Sequence, residues 1–323
     1  MLRDAGLGLV VGLAALLVLM ASRASDPPTT TGSPTAPRTA AATGAPGAAS
    51  SATRAARAEG AAPAGYAVTP APVLVTAHFK LPVRSGLLFD VRTGRVLWDR
   101  APGMTLPIAS LTKMMTALVV VAHARPGARV LITKAALNYS GSGVGLLPKG
   151  KMVRLETLLY GLLLPSGNDA AIALAQHVAG TQGHFIAMMN ARARAIGLRC
   201  THFTSVSGIV DQGNNSCAVD LAILAHAVLQ QPRLARIVAS RSAVLPFPIK
   251  GGKLYLYNNN PLLQVGYPGT DGVKTGYTVA AGPCLVATAR RGRKWLGVVL
   301  LHSDDPSNQA QQLLNAGFRT RSA

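Results

Sequence analysis

Acidic side chains are scarce in this chain. It has 12 Asp and Glu against 32 Lys and Arg, a formal charge of +20, and only two glutamates, Glu59 and Glu156. Such basicity suits an anionic polymer or membrane surface as neighbour. The Lys and Arg are scattered rather than blocked, however, and no nucleic-acid recognition motif accompanies them, so no nucleic-acid partner is expected. The seven histidines show neither His-x-x-x-His nor Cys/His ligand spacing, so neither a metal nor a cofactor is expected. None of the three cysteines lies near the start of the chain, which argues against a lipid-modified N-terminal cysteine. Internal repeats are absent too.

What is present divides the 323 residues into three stretches. Residues 1–24 open with Arg3, continue as an apolar run from Ala5 to Met20, and end in Ala21-Ser22-Arg23-Ala24. A basic start, a hydrophobic middle and a small-x-small pattern describe a secretory signal, or an uncleaved anchor that would be the chain's one membrane contact. An exported, extracytoplasmic protein is expected. Residues 25–72 are Ala, Thr, Pro, Gly and Ser with almost no large apolar side chain, the composition of a disordered, fairly extended spacer. Residues 73–323 carry 3.6- and 2-residue hydrophobic periods and are expected to fold.

In that stretch, Ser85–Asp99 reads as two strands around a turn at Arg92-Thr93-Gly94, and Cys284–Ala289 with Trp295–Leu301 as a second hairpin. Between them lie apolar helical segments at 155–164, 170–178, 184–196 and 219–229, with Leu313–Phe318 in a closing helix. Val130–Leu137 fits a strand or a helix and leads into a polar, Gly-rich loop at Ser140–Gly145. Strands at both ends with helices between predict an α+β domain whose single sheet is built from both termini.

Three short motifs stand out. Ser110-Leu111-Thr112-Lys113, after Pro107 and before the apolar run Leu118–Ala122, reads as a helix opening in which Ser110 and Lys113 share a face. A serine hydroxyl needs a base, and a lysine amine made neutral by a helix N-terminus and a second cation can serve. Pro165-Ser166-Gly167-Asn168-Asp169 is a tight loop between helices, expected to aim Ser166 and Asn168 outward. Gly272-Val273-Lys274-Thr275-Gly276-Tyr277 enters the C-terminal sheet. Each is ordinary alone: Ser-x-x-Lys as a cap with an exposed lysine, Ser-Gly-Asn as a turn, Lys-Thr-Gly as a hairpin. The order Ser-x-x-Lys, Ser-x-Asn, Lys-Thr-Gly at domain-scale spacing in an exported chain favours catalysis.

With these motifs the chain resembles the serine-type D-alanyl-D-alanine carboxypeptidases, the low-molecular-weight penicillin-binding proteins of peptidase family S11. The likeness runs over roughly residues 73–320 and extends to Leu158–Ala171, Met189-Asn190, Thr201-His202-Phe203, Gly269–Thr278 and Gly317-Phe318. It implies a sheet of about five antiparallel strands flanked by helices, as in serine β-lactamases, with the site at an edge strand. It implies Ser110 as acyl-enzyme nucleophile, Lys113 as its base, Ser166 as proton relay and Asn168 as the group holding Lys113 and the substrate amide. Lys274, Thr275 and Gly276 would bind substrate, Lys274 and Thr275 at its carboxylate, with the Lys274 charge disfavouring protonated Lys113. The backbone N–H groups of Ser110 and Tyr277 would form the oxyanion hole, each contributing about 3–4 kcal/mol. Partners on this reading are peptidoglycan stem peptides, with β-lactams as inhibitors that trap Ser110.

The chain departs from some relatives. Asp304-Asp305-Pro306-Ser307-Asn308 holds no arginine where some place one for the carboxylate, and Thr204-Ser205-Val206-Ser207-Gly208 replaces an Asn-containing turn. The chain stops soon after Phe318, so the further β domain and amphipathic anchor of some members are not expected. The alternatives on the same fold are a DD-endopeptidase, which the sequence does not separate, and a β-lactamase. Class A β-lactamases use a later Glu to activate water, and no Glu follows Glu156. A non-catalytic wall-binding module exploiting the charge is a third reading. Cys200 and Cys217 flank a Gly-, Asn- and Ser-rich loop and are expected to form a disulfide worth ~3 kcal/mol, the alternative being two buried thiols, while Cys284 is expected as a buried core thiol.

Overall fold

The structure is a computed structural model that describes residues 66–72 and 74–320. The expected signal or anchor (1–24) and most of the spacer lie outside the described residues. The packed chain begins earlier than the boundary expected at residue 73. Tyr66 stacks on His226 with ring centroids 3.6 Å apart, and the Thr69 N–H donates to Gly94 O at 3.0 Å.

In chain order the strands are β1 (Ser85–Asp90), β2 (Val96–Arg100), β3 (Leu106–Pro107), β4 (Arg129–Leu131), β5 (Met152–Arg154), β6 (Asn215–Ser216), β7 (Ser242–Pro246), β8 (Lys253–Tyr257), β9 (Thr270–Gly276), β10 (Cys284–Arg291) and β11 (Lys294–Leu301). The helices are α1 (Lys113–His123), α2 (Lys134–Leu137), α3 (Leu155–Leu163), α4 (Asn168–Ala179), α5 (Gln182–Ala195), α6 (Ala218–Leu229), α7 (Pro232–Ala239), α8 (Pro261–Gln264) and α9 (Pro306–Arg319). The ambiguous segment 130–137 is both things at once, the end of β4 followed by the single turn α2.

Both chain ends build one antiparallel sheet in the order β2-β1-β11-β10-β9, with Ser85 opposite Leu301 and Cys284 opposite Gly276. Strands β10 and β11 read as continuous apolar runs because both their faces are covered. Leu285, Ala287, Val298 and Leu300 pack with Ala310, Leu313 and Leu314 of α9. Val286, Val299 and Leu301 face the larger core, where α1, α3, α4 and α6 bury Leu118, Leu158, Leu174 and Leu224. Helix α1 is buried over its first eight residues and lies at the centre of that helical layer. The sheet's last strand, β9, pairs only with β10, so its other edge is free to face the α1 side.

The sequence reading missed the hairpin β7–β8, whose register pairs Val244 with Tyr255, and the helix α7 before it. Within its two strands only Leu254 and Leu256 are buried, with Ala243 and Leu245 half-buried, so its apolar signal is sparser than that of the central strands.

Candidate active site

Ser110 lies not in an α-helix, as expected, but in a 3-10 turn over Ala109–Thr112 that feeds α1. The turn begins at Ala109 with φ of 46°, and the Thr112 hydroxyl donates to Ala109 O at 2.7 Å. Three residues on, Lys113 still falls on the Ser110 side, and its Nζ lies 2.8 Å from Ser110 Oγ. The shared face expected from the spacing is therefore realised, through a tighter turn.

Lys113 is fully buried. Its Nζ has two further partners, Asn168 Oδ1 at 2.7 Å and Ser207 O at 2.8 Å. A neutral amine has two N–H donors and one lone pair. With the donors directed to the Asn168 and Ser207 oxygens, the lone pair is left to accept the Ser110 hydroxyl proton. Burial, and after it the charge of Lys274, hold the Lys113 amine well below the usual lysine range, against an opposing pull from Asp169. Burial is thus the larger cause, where the sequence pointed to a helix terminus and a second cation.

Asn168 and Ser166 point inward rather than outward, at 3% and 4% exposure. Asn168 opens α4, and its amide donates to Ser140 O at 2.6 Å while its side-chain oxygen takes the Lys113 bond. Ser166 is held at φ of 68°, and its buried hydroxyl has no hydrogen-bond partner among the described residues. A buried hydroxyl without a partner is costly, and such cost collects where a group acts on a ligand.

The opposite wall is β9. Lys274 is buried, donates to Thr275 O at 2.8 Å, and is pushed down by that burial to about 7. Thr275 and Gly276 are half-buried and Tyr277 is exposed. A Cβ on Gly276 would stand 2.9 Å from Ile108 O and 3.1 Å from Ser110 N, so only glycine lets β9 run this close to the Ser110 turn. Pairing with β10 ends at Gly276, which leaves Tyr277 beyond the ladder.

Several residues were missed. Asp169 is fully buried, and its carboxylate accepts from the N–H groups of Val144, Gly145 and Ala170 at 2.8–3.0 Å, pinning the Ser140–Gly145 loop over Asn168. The turn at 204–208, read as loop variation, supplies the Ser207 carbonyl. Ser205 Oγ accepts from the Ser207 and Gly208 N–H groups, and Gly208, at φ of 80°, lies so close to Ala109 O that a Cβ would overlap it. Asn214 Nδ2 donates to Thr112 Oγ1 at 2.8 Å, tying the same loop to the Ser110 turn. A backbone carbonyl leaves no mark on residue type, so Ser207 had no sequence signal; Asp169 had one, as an acid directly after Ser-Gly-Asn.

The predicted cysteines lie elsewhere. Cys200 and Cys217 are bonded, with Cα atoms 5.9 Å apart, and Asp220 of α6 accepts the Cys200 N–H and the Thr201 hydroxyl beside them. Cys284 is a buried free thiol, which burial pushes up to about 12. Glu156 is far from the chemistry in role, its carboxylate held by Arg233 and Arg236 of α7.

Residues 73–305 match the family described as D-alanyl-D-alanine carboxypeptidase. The D-alanyl-D-alanine carboxypeptidase DacF of Bacillus subtilis is 31% identical over 243 residues, 74% of this chain and 62% of that protein, so the chain spans under two thirds of this relative. DacB2 of Mycobacterium tuberculosis is 36% identical over 73% of this chain and 82% of its own length. Among solved structures, the DD-transpeptidase of Streptomyces K15 superposes with a TM-score of 0.69 at 33% identity, covering 75% of this chain and 99% of that one. With this family match over residues 73–305 and relatives such as DacB2 covered over most of their length, the chain belongs to the D-alanyl-D-alanine carboxypeptidase family.

Proposed function

We propose that the protein is a serine D-alanyl-D-alanine carboxypeptidase that removes the terminal D-alanine of peptidoglycan stem pentapeptides. The observation that carries this reading is the pairing of Ser110 with a buried lysine whose N–H groups are already spent on Asn168 and Ser207. Lys113 takes the Ser110 proton as Oγ attacks the penultimate carbonyl, and the developing oxyanion meets the N–H groups of Ser110 and Tyr277. The unpartnered Ser166 hydroxyl passes the proton to the leaving D-alanine nitrogen. Lys274 and Thr275 grip the terminal carboxylate, with no arginine in Asp304–Asn308 to help. Lys113 then draws a proton from the water that opens the ester. Glu156, engaged by two arginines, is not available as a β-lactamase-type water activator.

The enzyme works outside the cytoplasm on this reading, delivered by residues 1–24 and attached, if uncleaved, through residues 5–20. Among the described residues no helix is long and apolar enough to cross a membrane. β-Lactams, which mimic acyl-D-Ala-D-Ala, are trapped on Ser110 as slow esters.

The test is intact-protein mass after incubation with benzylpenicillin, beside D-alanine release from a soluble pentapeptide. A stable adduct on the native chain, none on Ser110→Ala, and D-alanine release is the expected result. No adduct with intact penicillin would leave a non-catalytic module, and no adduct with hydrolysed penicillin a β-lactamase. A specific rival is acyl transfer, since the Streptomyces neighbour is described as a transpeptidase. Adding an acceptor amine and assaying for an amide product separates the two.

A further inference from the structure

The hairpin β7–β8 has an inner face buried through Leu254, Leu256 and Phe247, and an outer face that no described element covers. On that outer face stand Tyr255 and Tyr257, 59% and 68% exposed, with Val244 directly across from Tyr255 at 55%. Three exposed large side chains thus share one sheet face, two of them aromatic. The two rings are two residues apart on one strand, so they sit side by side about 7 Å apart along it.

The charge around them is one-sided. From Leu221 to Thr270 the chain carries five basic residues and no Asp or Glu. Two of the five, Arg233 and Arg236, are engaged by Glu156. The other three, Arg241, Lys250 and Lys253, form no ion pair among the described residues.

The hairpin is also tied to the loop that carries Ser166. Two residues after Tyr257, Asn259 donates from its backbone to Leu164 O at 3.1 Å and from its side chain to Pro165 O at 3.2 Å, the two carbonyls that precede Ser166. The Thr157 hydroxyl of α3 reaches Pro246 O at the other strand. The hairpin that carries the tyrosines is therefore anchored to the segment that leads into Ser166, within reach of a polymer whose stem peptide enters there.

We infer that the β7–β8 face binds the amino-sugar strand of the wall polymer that carries the stem peptide, an inference that rests on the carboxypeptidase reading. A pyranose ring has an apolar C–H face and a polar rim, which suits an exposed tyrosine whose ring is apolar and whose hydroxyl stays wet. Stem peptides end in carboxylates, so the loaded polymer is a polyanion, and Arg241, Lys250 and Lys253 complement it. A membrane is the less suited occupant: the patch is a flat strand face of two phenols and a valine, without the Trp, Phe and Leu that insert into an interface.

The test compares one reaction on two substrates. Tyr255→Ala with Tyr257→Ala is expected to lower kcat/KM for D-alanine release from purified sacculi at least tenfold and to leave soluble pentapeptide turnover and benzylpenicillin acylation within twofold. Tyr255→Phe with Tyr257→Phe, which keeps both rings, should retain activity on sacculi. Lys250→Glu with Lys253→Glu should weaken co-sedimentation with sacculi and flatten its salt dependence. Equal loss on both substrates, or unchanged turnover of sacculi in the Ala pair, overturns the inference. So does binding to phosphatidylglycerol vesicles that the Ala pair abolishes while sacculus turnover persists. If the native chain releases no D-alanine from either substrate, the enzyme reading fails by itself; sacculus binding lost in the Ala pair would then still support the surface.

Discussion

The two buried lysines make opposite demands on pH, and that can be measured. On the proposed mechanism Lys113 must be neutral to take the Ser110 proton, whereas Lys274 must be charged to hold the substrate carboxylate. Burial brings Lys274 to about 7 in the free protein and Lys113 well below its usual range. Activity therefore rises with pH as Lys113 loses its proton and falls with pH as Lys274 loses its own. One pH unit above its pKa Lys274 retains ~10% of its charge and at two units ~1%, so kcat/KM for a pentapeptide should fall about tenfold per unit on the alkaline side. A bound carboxylate favours charged Lys274 and shifts its pKa up. The alkaline limb of kcat should accordingly lie at higher pH than that of kcat/KM. The assay is D-alanine release from pH 5 to 10, at substrate well below and well above KM. Lys274→Arg supplies the control: a guanidinium keeps its charge throughout this range, so its alkaline limb should disappear even if its fit lowers the rate. An unchanged limb in Lys274→Arg, or none in the native protein, would refute the division of labour between the two lysines.

Gly276→Ala puts a methyl 2.9 Å from Ile108 O and 3.1 Å from Ser110 N, so β9 must retreat by a few tenths of an ångström. Benzylpenicillin acylation should slow roughly 10- to 100-fold with a stability loss of about 1–3 kcal/mol, measured by stopped-flow quenching and urea unfolding; unchanged acylation would mean that the close approach is not used. Asp169→Asn removes one charged hydrogen bond to the 144–145 backbone, costing about 1.5–3 kcal/mol in unfolding. Because Asp169 pulls the Lys113 pKa up, the same change should move the acid limb of kcat/KM to lower pH, a shift that mere loosening of the loop would not produce. Cys200→Ser with Cys217→Ser opens a 17-residue separation and should lower stability by about 3 kcal/mol in thermal or urea unfolding, while leaving penicillin acylation intact.

Much of the fold was legible because the central strands and helices bury long, unmixed apolar stretches. The segment 284–301 is apolar on both faces and could be read as a hairpin from its turn residues alone. The β7–β8 hairpin was not seen, since its outward residues include tyrosines and a valine that blur the alternation. At the site, side chains that act through their own chemistry carried a signal by type and spacing, as Ser110, Lys113 and Lys274 did. Orientation was harder to read: Asn168 and Ser166 were expected to face out, and only the contacts with Lys113 and the 140–145 loop turn that segment inward. The Ser207 carbonyl could not have been found, because any residue would provide it.

The cage around Lys113 also explains why geometry alone does not set its charge. Ser110 Oγ, Asn168 Oδ1 and Ser207 O would be satisfied by an ammonium donating three times, or by an amine donating twice and accepting once. Both states fit the same three atoms, so a proton can pass between Ser110 and Lys113 with no side chain moving. What favours the neutral state is electrostatic: burial and the charge on Lys274. The carboxylate that opposes this choice, Asp169, has its oxygens on the Val144, Gly145 and Ala170 amides, and it is the uncharged Asn168 beside it in sequence that bonds Lys113. Had Asp169 paired with Lys113 directly, the lysine would stay protonated and Ser110 would lose its base. Holding that anion on backbone amides keeps its charge useful for fixing the 140–145 loop without quenching the lone pair, and a cage already arranged for both proton positions needs no reorganisation as the acyl bond forms.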